Sequence, residues 1–395
     1  MKALILAAGF GTRARPLTAS LPKPMMPVVN RPVMAFLVDH LRRFGFNQIM
    51  VNTGHNAPQI ERHFGDGGLF GVDMAYSFEG RSRAGRLQAR PRGTAGAIRH
   101  IHEHAGFFNE TFVVLSGDAL ADLDLQELLR FHRERGALAT VVLREVPHRR
   151  PCRPGAPALD DDGRITGFRE RAGLDAAERQ WDSAGIYMFE PDVLDWIPRD
   201  RPFDILDQLI PALVGAGANV HGMLAARPWQ WLEIRDMSDL HALNMKALKQ
   251  EIVGFRMPGR ELQPGVWAGL NVRADLARCH IAPPVYLGGS AELEPGCSLV
   301  GPVVLGAGAV VERGATLQET VVLEHTRIGA GAWFKGKIVG SRFCAGTDGT
   351  VLDNRHTDIS WLFADARSSH DATTPERTAV RAAALGQARA PAYVI

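Results

Sequence analysis

Two glycines near the amino terminus are the first candidates for a functional site. Gly9 and Gly11 follow an apolar run that starts at Ala3, and Thr12 and Arg13 come next. Glycine lets a backbone come close to a ligand, so that successive N–H groups can point at phosphate oxygens, and an arginine adds fixed charge. The segment has neither the lysine-terminated phosphate loop nor the dinucleotide fingerprint. It predicts a buried strand that opens into an anion-binding loop of another kind.

Two charged residues farther along extend this candidate site. Lys23 lies between two prolines, and Asp118 comes shortly after the apolar run 113–115. A carboxylate at the carboxyl end of a strand, opposite a phosphate loop, is placed to hold a magnesium ion that bridges phosphates. The alternative is that Asp118 is a turn residue that caps the helix expected near Asp124. In combination with the glycine loop, Asp118 is predicted to bind metal and Lys23 to supply positive charge.

The composition limits the classes of partner. Of 395 residues, 46% are apolar and 22% are charged, and 45 basic residues against 43 acidic ones leave a net charge of +2. This balance predicts no extended attraction to nucleic acid or anionic lipid. No apolar run reaches the roughly 18 residues of a membrane helix. The four cysteines form no CxxC pair, so we expect neither a zinc site nor a disulfide framework, but reduced thiols in a cytoplasmic protein.

Predicted strands and helices alternate through the first 250 residues and carry the candidate site residues. Short β-branched runs alternate with stretches that carry apolar residues at helical spacing, which predicts βαβ units and a Rossmann-like, mostly parallel sheet with ligands at the carboxyl ends of its strands. The predicted strands are Lys2–Ala7, Gln48–Thr53, Val72–Ser77, Thr111–Leu115, Ala137–Arg144 and Ile186–Phe189. The predicted helices are Pro32–Phe44, Ala57–Phe64, Gly93–His104, Asp124–Arg135 and Asp239–Glu251.

A different period governs the chain after residue 265. Aliphatic residues recur at every sixth position, at Ile281, Leu287, Leu293, Leu299, Leu305, Val311, Leu317 and Leu323. A six-residue period fits a solenoid in which each flat face takes one hexapeptide and three faces make a coil. The register slips at Ile328 and partly resumes at Ile338 and Cys344. We therefore expect a domain at 1–250, a linker at 251–265, a β-helix at 266–364 and a tail at 365–395 that is a surface helix or disordered.

The glycine loop is part of a longer string that resembles a known signature. The residues LAAGFGTRARPLTASLPKPMMP, from Leu6 to Pro27, resemble the signature of the sugar-1-phosphate nucleotidyltransferases. The segments RGTAGA, VVLSGDAL and DSAGIYMF resemble further motifs of that family, and the six-residue repeat resembles the left-handed parallel β-helix. MVNTGH, AYSFEGR and VYLGGS are most similar to the mannose-1-phosphate guanylyltransferases and the cyanobacterial UDP-glucose pyrophosphorylases.

This resemblance implies that the protein makes an NDP-sugar and pyrophosphate from a nucleoside triphosphate and a sugar 1-phosphate, with Mg²⁺ as cofactor. It implies that Arg13 binds the leaving pyrophosphate, that Lys23 neutralises the charge building between the phosphates, and that Asp118 and Glu233 hold the metal. The residues implied to bind nucleotide are Ala8, Gly9, Gly11, Thr12, Gln88 and Gly93. The residues implied to meet the sugar phosphate are Gly155, Glu170, Arg171 and Ser183, with Asp182 as an alternative to Ser183.

The chain departs from the family pattern at three positions. Arg171 replaces a lysine that holds the sugar phosphate, Glu233 replaces an aspartate that binds magnesium, and Arg235 replaces a small glycine. A planar guanidinium holds a phosphate differently from a point charge, and octahedral magnesium is strict about ligand position. Arg235 could crowd the sugar pocket or add a phosphate contact. Nucleotide binding is thus expected to be better preserved than sugar binding.

Three functions remain in view on these grounds. The first is a nucleotidyltransferase that uses UTP or dTTP with glucose 1-phosphate, which Gln88 favours, or GTP with mannose 1-phosphate. The second is a regulatory subunit that binds nucleotide or NDP-sugar without turnover, which the three departures favour. The third is an acyltransferase, whose catalytic histidine would be His280, His325 or His356 on a solenoid loop. In each case we expect a homo-oligomer formed through the β-helix.

Overall fold

The computed structural model describes residues 1–83, 86–146, 156–169, 180–355 and 359–368. Within it the chain forms two compact units. The first comprises Met1–Thr12, Thr18–Met25 and Val33–Glu233. The second comprises Arg13–Leu17, Met26–Pro32 and the chain from Ile234 onward. The domain boundary at residue 250 stays a prediction. The last change from the first compact unit to the second lies between Glu233 and Ile234.

Strands and helices alternate before residue 250, as the sequence predicts. The strands are β1 (Lys2–Ala7), β2 (Pro27–Val28), β3 (Arg31–Pro32), β4 (Gln48–Thr53), β5 (Asp73–Phe78), β6 (Gly80–Arg83), β7 (Arg86–Ala89), β8 (Phe112–Ser116), β9 (Ala119–Ala121), β10 (Ala139–Val146), β11 (Ala156–Leu159), β12 (Ile165–Arg169), β13 (Gln180–Phe189), β14 (Val220–Leu224) and β15 (Trp231–Glu233). The helices are α1 (Val33–Arg43), α2 (Ala57–Phe64), α3 (Thr94–Ala105), α4 (Leu125–Glu134), α5 (Ile210–Gly215) and α6 (Met237–Leu248).

A seven-stranded sheet with the order β14-β10-β13-β8-β1-β4-β5 forms the centre of the first unit. The strands β8, β1, β4 and β5 run parallel, and β13 is inserted antiparallel between β8 and β10. The predicted, mostly parallel sheet is therefore confirmed. β13 begins six residues before the predicted strand, and β14 was not predicted. The parallel strands bring their carboxyl ends to one edge of the sheet, which is where ligands bind in such folds.

Apolar packing covers both faces of this sheet. Alternate residues of β1 point to opposite faces, so Ala3 and Ile5 lie in a core with α1, α2 and α4, while Leu4 lies in a second core with α3 and α5. The first turn of α4 shows how the sequence starts a helix: the Asp124 carboxylate accepts bonds from the backbone N–H groups of Gln126 and Glu127 at 2.9 and 3.1 Å. No helix in the described ranges has the length and apolar character needed to cross a bilayer.

The second unit contains a solenoid of short strands. They are β16 (Arg260–Gln263), β17 (Val266–Ala268), β18 (Arg273–Ala274), β19 (His280–Ala282), β20 (Val285–Leu287), β21 (Glu292–Leu293), β22 (Ser298–Val300), β23 (Val303–Leu305), β24 (Val310–Val311), β25 (Thr316–Gln318), β26 (Val321–Val322), β27 (Thr326–Ile328), β28 (Trp333–Lys335), β29 (Lys337–Val339), β30 (Phe343–Gly346), β31 (Val351–Asp353) and β32 (Phe363–Asp365).

Three mostly parallel sheets make the faces of this solenoid, as the six-residue period predicts, and the antiparallel pairs involve the terminal strands β16, β30, β31 and β32. Leu287 pairs with Leu305, and Leu299 pairs with Leu317, so one coil takes 18 residues. The next coil takes 17, because Leu317 pairs with Phe334. This shortening explains the register slip seen in the sequence at Ile328. The three cysteines in the described residues are free thiols. Burial raises the pKa of Cys297 to about 12, and its thiol donates to the backbone carbonyls of Val311 and Glu312 in the core.

Candidate active site

Two strand ends meet where the candidate site was predicted. Gly117, just past β8, donates its N–H to the Leu6 carbonyl near the end of β1 at 2.9 Å. A Cβ on Gly117 would lie 2.8 Å from that oxygen, so only glycine permits this approach. The result is that Asp118 lies beside the start of the glycine loop, at the carboxyl edge of the parallel sheet.

The loop itself is shaped by Gly11. Its φ of +59° lies in the left-handed region, and a Cβ there would come within 2.9 Å of the Thr18 Cγ2 atom. The Thr18 hydroxyl donates to the Gly11 carbonyl at 2.8 Å and holds the loop in this conformation. Gly9 has open space around it and is exposed, so its backbone is accessible to a ligand, and Ala8 is half-buried. Thr12 and Arg13 lie in a short 3₁₀ turn with exposed side chains.

The clearest contact in the site joins Lys23 and Asp118. Lys23 begins a 3₁₀ turn, and its ammonium group forms an ion pair with the Asp118 carboxylate. The other carboxylate oxygen accepts a bond from the Ser116 hydroxyl at 2.6 Å. Both ends of the carboxylate are therefore oriented. Asp118 does not cap α4, since Asp124 performs that role, and the alternative explanation for Asp118 is wrong.

Glu233 reaches the same region through strand pairing. β15 pairs antiparallel with β9, and in this register Glu233 faces Ala119, the residue that follows Asp118. Glu233 thus lies on a strand that pairs with β9, and Asp118 lies in the turn directly before β9. Magnesium is commonly held by one or two carboxylates together with substrate phosphates, so this donor set fits the ion.

The nucleotide segment, residues 93–97, belongs to the RGTAGA motif that the sequence predicts to bind nucleotide, and Gly93 is the residue before α3. Its φ of +75° is left-handed, and a Cβ there would meet the Phe203 backbone at 2.6 to 2.8 Å. The Phe203 carbonyl accepts bonds from Ala95 and Gly96 at 2.9 and 2.8 Å, and the Asp204 carboxylate accepts two bonds from Thr94 at 3.1 Å. The loop that contains Phe203 and Asp204 therefore fixes the start of α3. Gln88 has an exposed side chain on β7.

A buried polar chain connects this segment to β1. Asn52 accepts a bond from the Ala7 N–H and donates one to the Glu79 carboxylate, both at 2.7 Å. The Arg92 N–H donates to the other oxygen of Glu79 at 3.3 Å. Burial raises the pKa of Glu79, which is only 4% exposed, although these donors and the Arg92 charge oppose the shift. Asn52 and Glu79 were not predicted as site residues. The signal available in the sequence was that each is a polar residue at or just after the end of a strand, β4 for Asn52 and β5 for Glu79.

Ser183 and Asp182, the alternatives for a sugar contact, lie on β13. The Ser183 hydroxyl donates to the Tyr187 hydroxyl and accepts from the Gly185 N–H, both at 3.1 Å, and burial raises the pKa of Tyr187 to about 12. The Asp182 carboxylate pairs with Arg144 at 3.2 Å. These contacts lie within β13 and between β13 and β10. Gly155, Glu170 and Arg171 lie outside the described residues.

Arg235 is held by a residue of its own segment. Its guanidinium donates to both oxygens of Asp239 at 2.9 and 3.0 Å, and its backbone N–H donates to the same carboxylate at 2.9 Å. These bonds lower the pKa of Asp239 against the opposing effect of burial. The planar guanidinium of Arg235 therefore forms a two-bond contact with a carboxylate four residues away in the sequence.

Comparison with known proteins agrees with this geometry. The family model for nucleotidyl transferases matches residues 2–250. A UTP–glucose-1-phosphate uridylyltransferase from Synechocystis is 41% identical over 367 residues, which cover 93% of this chain and 94% of that protein. A mannose-1-phosphate guanylyltransferase from Mycobacterium tuberculosis is 33% identical over 58% of this chain and 60% of its own length.

A solved structure shows the same fold. It is a Bacillus anthracis protein provisionally called a glucose-1-phosphate thymidylyltransferase, which aligns with a TM-score of 0.51 and 23% identity over 65% of this chain and 98% of its own. The family model and the full-length relative together settle the classification. The chain belongs to the nucleotidyl transferase family and, within it, to the sugar-1-phosphate nucleotidyltransferases.

Proposed function

We propose that this protein transfers a uridylyl group from UTP to glucose 1-phosphate and releases pyrophosphate. The observation that supports the reaction type is the Lys23–Asp118 ion pair beside the glycine loop. Glu233 lies on β15, which pairs with β9 just after Asp118. The choice of UTP and glucose 1-phosphate is supported by the Synechocystis relative, which spans both units, and by Gln88 at the spacing that favours a pyrimidine.

The reaction needs no covalent nucleophile on the protein. An oxygen of the sugar phosphate attacks the α-phosphorus of UTP in line, and the bond from that phosphorus to the oxygen bridging to the β-phosphate breaks as pyrophosphate leaves. Catalysis then consists of positioning and charge neutralisation. We assign Lys23 to the charge that builds around the α-phosphoryl group, the loop N–H groups at Gly9 and Gly11 to the triphosphate, and Arg13 to the leaving pyrophosphate.

Members of this family use a divalent metal ion, and we propose Mg²⁺ here. We propose that Asp118 and Glu233 would hold it; in support, Glu233 pairs with Ala119, the residue that follows Asp118. When bound, the ion would neutralise phosphate oxygens as a Lewis acid. We assign Ser116 to the orientation of Asp118, and Ser183 or Asp182 to the sugar, together with Gly155, Glu170 and Arg171.

The test is pyrophosphate release by the full chain with Mg²⁺, for UTP, dTTP, GTP, CTP and ATP, each with glucose 1-phosphate and with mannose 1-phosphate. We expect UTP with glucose 1-phosphate to give the highest kcat/KM. Asp118→Asn should abolish turnover, whereas Asp73→Asn, at an exposed aspartate at the start of β5, should not.

Two results would overturn the proposal in different ways. Turnover of GTP with mannose 1-phosphate alone would make the protein a guanylyltransferase. Binding of UTP without turnover of any pair would instead favour the regulatory subunit, and Glu233 and Arg171 would be the first residues to revert to the family pattern.

A further inference from the structure

A cavity of about 220 Å³ in the first unit is lined by an unusual number of arginines. It lies between the outer face of α3, the chain that leads into that helix, and the loop 198–202. Its six arginines are Arg81, Arg90, Arg92, Arg99, Arg199 and Arg201, whereas the only acidic residues in its lining are Glu103 and Asp200. None of the predicted active-site residues that the structure describes lines it.

Most of this positive charge has no acidic partner. Arg99 and Arg199 share Glu103, at 2.9 and 3.2 Å. Among the residues that the structure describes, no carboxylate lies within ion-pair distance of Arg81, Arg90 or Arg201. Arg92 and Arg99 are half-buried, whereas the other four arginines are exposed and partly screened by solvent. An anion bound in the cavity would lower the repulsion among these like charges.

The chemistry of the lining points to phosphate. Guanidinium groups bind phosphate through paired N–H donors, and several of them around one cavity match a ligand with more than one phosphate group. Pockets for drug-sized ligands usually measure about 300–1,000 Å³, so this smaller cavity suits a compact metabolite rather than a nucleotide.

Two residues that line the cavity also adjoin the nucleotide segment and the loop that contacts it. Arg92 and Arg201 each lie within two residues of Gly93 or Phe203, the two points where the loop contacts the start of α3. The Phe203 N–H donates to the Arg92 carbonyl at 2.8 Å, and the Phe203 carbonyl accepts from the first turn of α3. A ligand that bridges Arg90 and Arg201 would hold these two backbone segments together from the side of the cavity.

We propose that this cavity is a regulatory site for a small metabolite that carries two phosphate groups, and that its occupancy tightens nucleotide binding. The physical basis is preorganisation: a segment already ordered by one ligand loses less conformational entropy when the second one binds. The identity of the nucleotide, UTP, rests on the function proposed above, but the anion site does not.

The first experiment is calorimetric titration of the full chain with glycerate 2,3-bisphosphate, in phosphate-free buffer and without nucleotide. We expect saturable binding that weakens by about tenfold or more in Arg90→Gln/Arg201→Gln, because charge-assisted bonds dominate the affinity. The matched control is Arg62→Gln/Arg133→Gln, which removes two exposed charges from α2 and α4, outside the cavity, and should bind like the wild type. Equal affinity in both double variants, or no binding to the wild type, would overturn the site.

The second experiment measures the Kd of UTP with and without saturating glycerate 2,3-bisphosphate. We expect an approximately fivefold tightening in the wild type and in the control, and none in Arg90→Gln/Arg201→Gln. A UTP Kd that does not respond in the wild type would overturn the regulatory role. Failure to bind UTP at all would refute the proposal that UTP is the nucleotide. The first titration would still show whether the cavity binds the anion.

Discussion

Lys23 and Asp118 lie 95 positions apart in the sequence, yet their side chains form an ion pair and are only 12% and 16% exposed. The pair joins the turn after the glycine loop to the end of β8. Because the ion pair is little exposed, solvent screens the attraction between its two charges only weakly, and removal of either charge leaves the other without its partner. The residue assigned to charge neutralisation and the residue assigned to metal binding are therefore also a structural connection within the first unit.

A double-mutant cycle on this pair should separate its structural role from its chemical role. We expect Lys23→Met and Asp118→Asn each to lower kcat by about 10²–10³-fold, as loss of a preorganised electrostatic contact does. Each single change should also lower the free energy of unfolding by about 1.5–3 kcal/mol, because a hydrogen-bonded charge loses its partner.

The double variant Lys23→Met/Asp118→Asn should recover part of that stability and none of the activity, measured by denaturant unfolding and pyrophosphate release. Full additivity of the two stability losses would show that the side chains act independently. Recovery of activity in the double variant would contradict their assignment to the reaction.

Glu233 should contribute to metal affinity rather than to folding. We expect Glu233→Gln to raise the Mg²⁺ concentration for half-maximal activity by about tenfold or more, as disturbed metal sites commonly do. Glu233→Asp keeps the charge and restores the residue of the family pattern, so its Mg²⁺ requirement should stay close to that of the wild type. The measurement is a magnesium titration of pyrophosphate release. Glu134→Gln, at an exposed residue of α4, is the control, and an equal effect in it would refute the metal role of Glu233.

Most of the fold was predictable because its signals are local. Apolar runs such as Lys2–Ala7 and the six-residue period after Ile281 depend on neighbours in the sequence, and both predictions are confirmed. No local pattern indicates that Glu233 lies opposite Ala119, since this arises from the pairing of β15 with β9, and only the family resemblance singled Glu233 out. The Asn52–Glu79 chain and the arginine cavity depend on distant segments that fold together, and no local pattern indicates them.

Gly93 should be irreplaceable because two constraints coincide there. A substituted Gly93 would be strained by its φ of +75° and would collide with the Phe203 backbone. Gly106, at the other end of α3, has a φ of +58° but no atom within 4 Å of a built Cβ. Gly106→Ala should therefore cost only the left-handed strain, about 1–2 kcal/mol, without changing the Kd of UTP.

Gly93→Ala should cost more stability than Gly106→Ala and should weaken UTP binding as well, because the start of α3 must move away from Phe203. Thermal unfolding and a UTP titration of both variants provide the comparison. Identical behaviour of the two variants would mean that the close approach to Phe203 does not matter for the nucleotide.

Glu79 should make the stability of the protein depend on pH in a direction opposite to that of an ordinary ion-paired carboxylate. Burial raises the pKa of Glu79 above the ordinary value of 4.5, so the folded state holds its proton over a range in which the unfolded state has lost it. The stability that Glu79 contributes is then complete below the unfolded pKa and is lost as the pH rises through the folded pKa.

Glu79→Gln removes this titration while keeping the size of the side chain. We therefore expect the stability advantage of the wild type over Glu79→Gln to be largest near pH 4.5 and to shrink toward pH 7.5, in urea unfolding followed by tryptophan fluorescence. Glu134→Gln, which removes an exposed carboxylate, should show a difference from the wild type that is nearly constant over this range. If the advantage of the wild type instead grew with pH, the bonds from Asn52 and Arg92 would outweigh burial, and Glu79 would be a stabilised carboxylate that fixes the nucleotide segment by its charge.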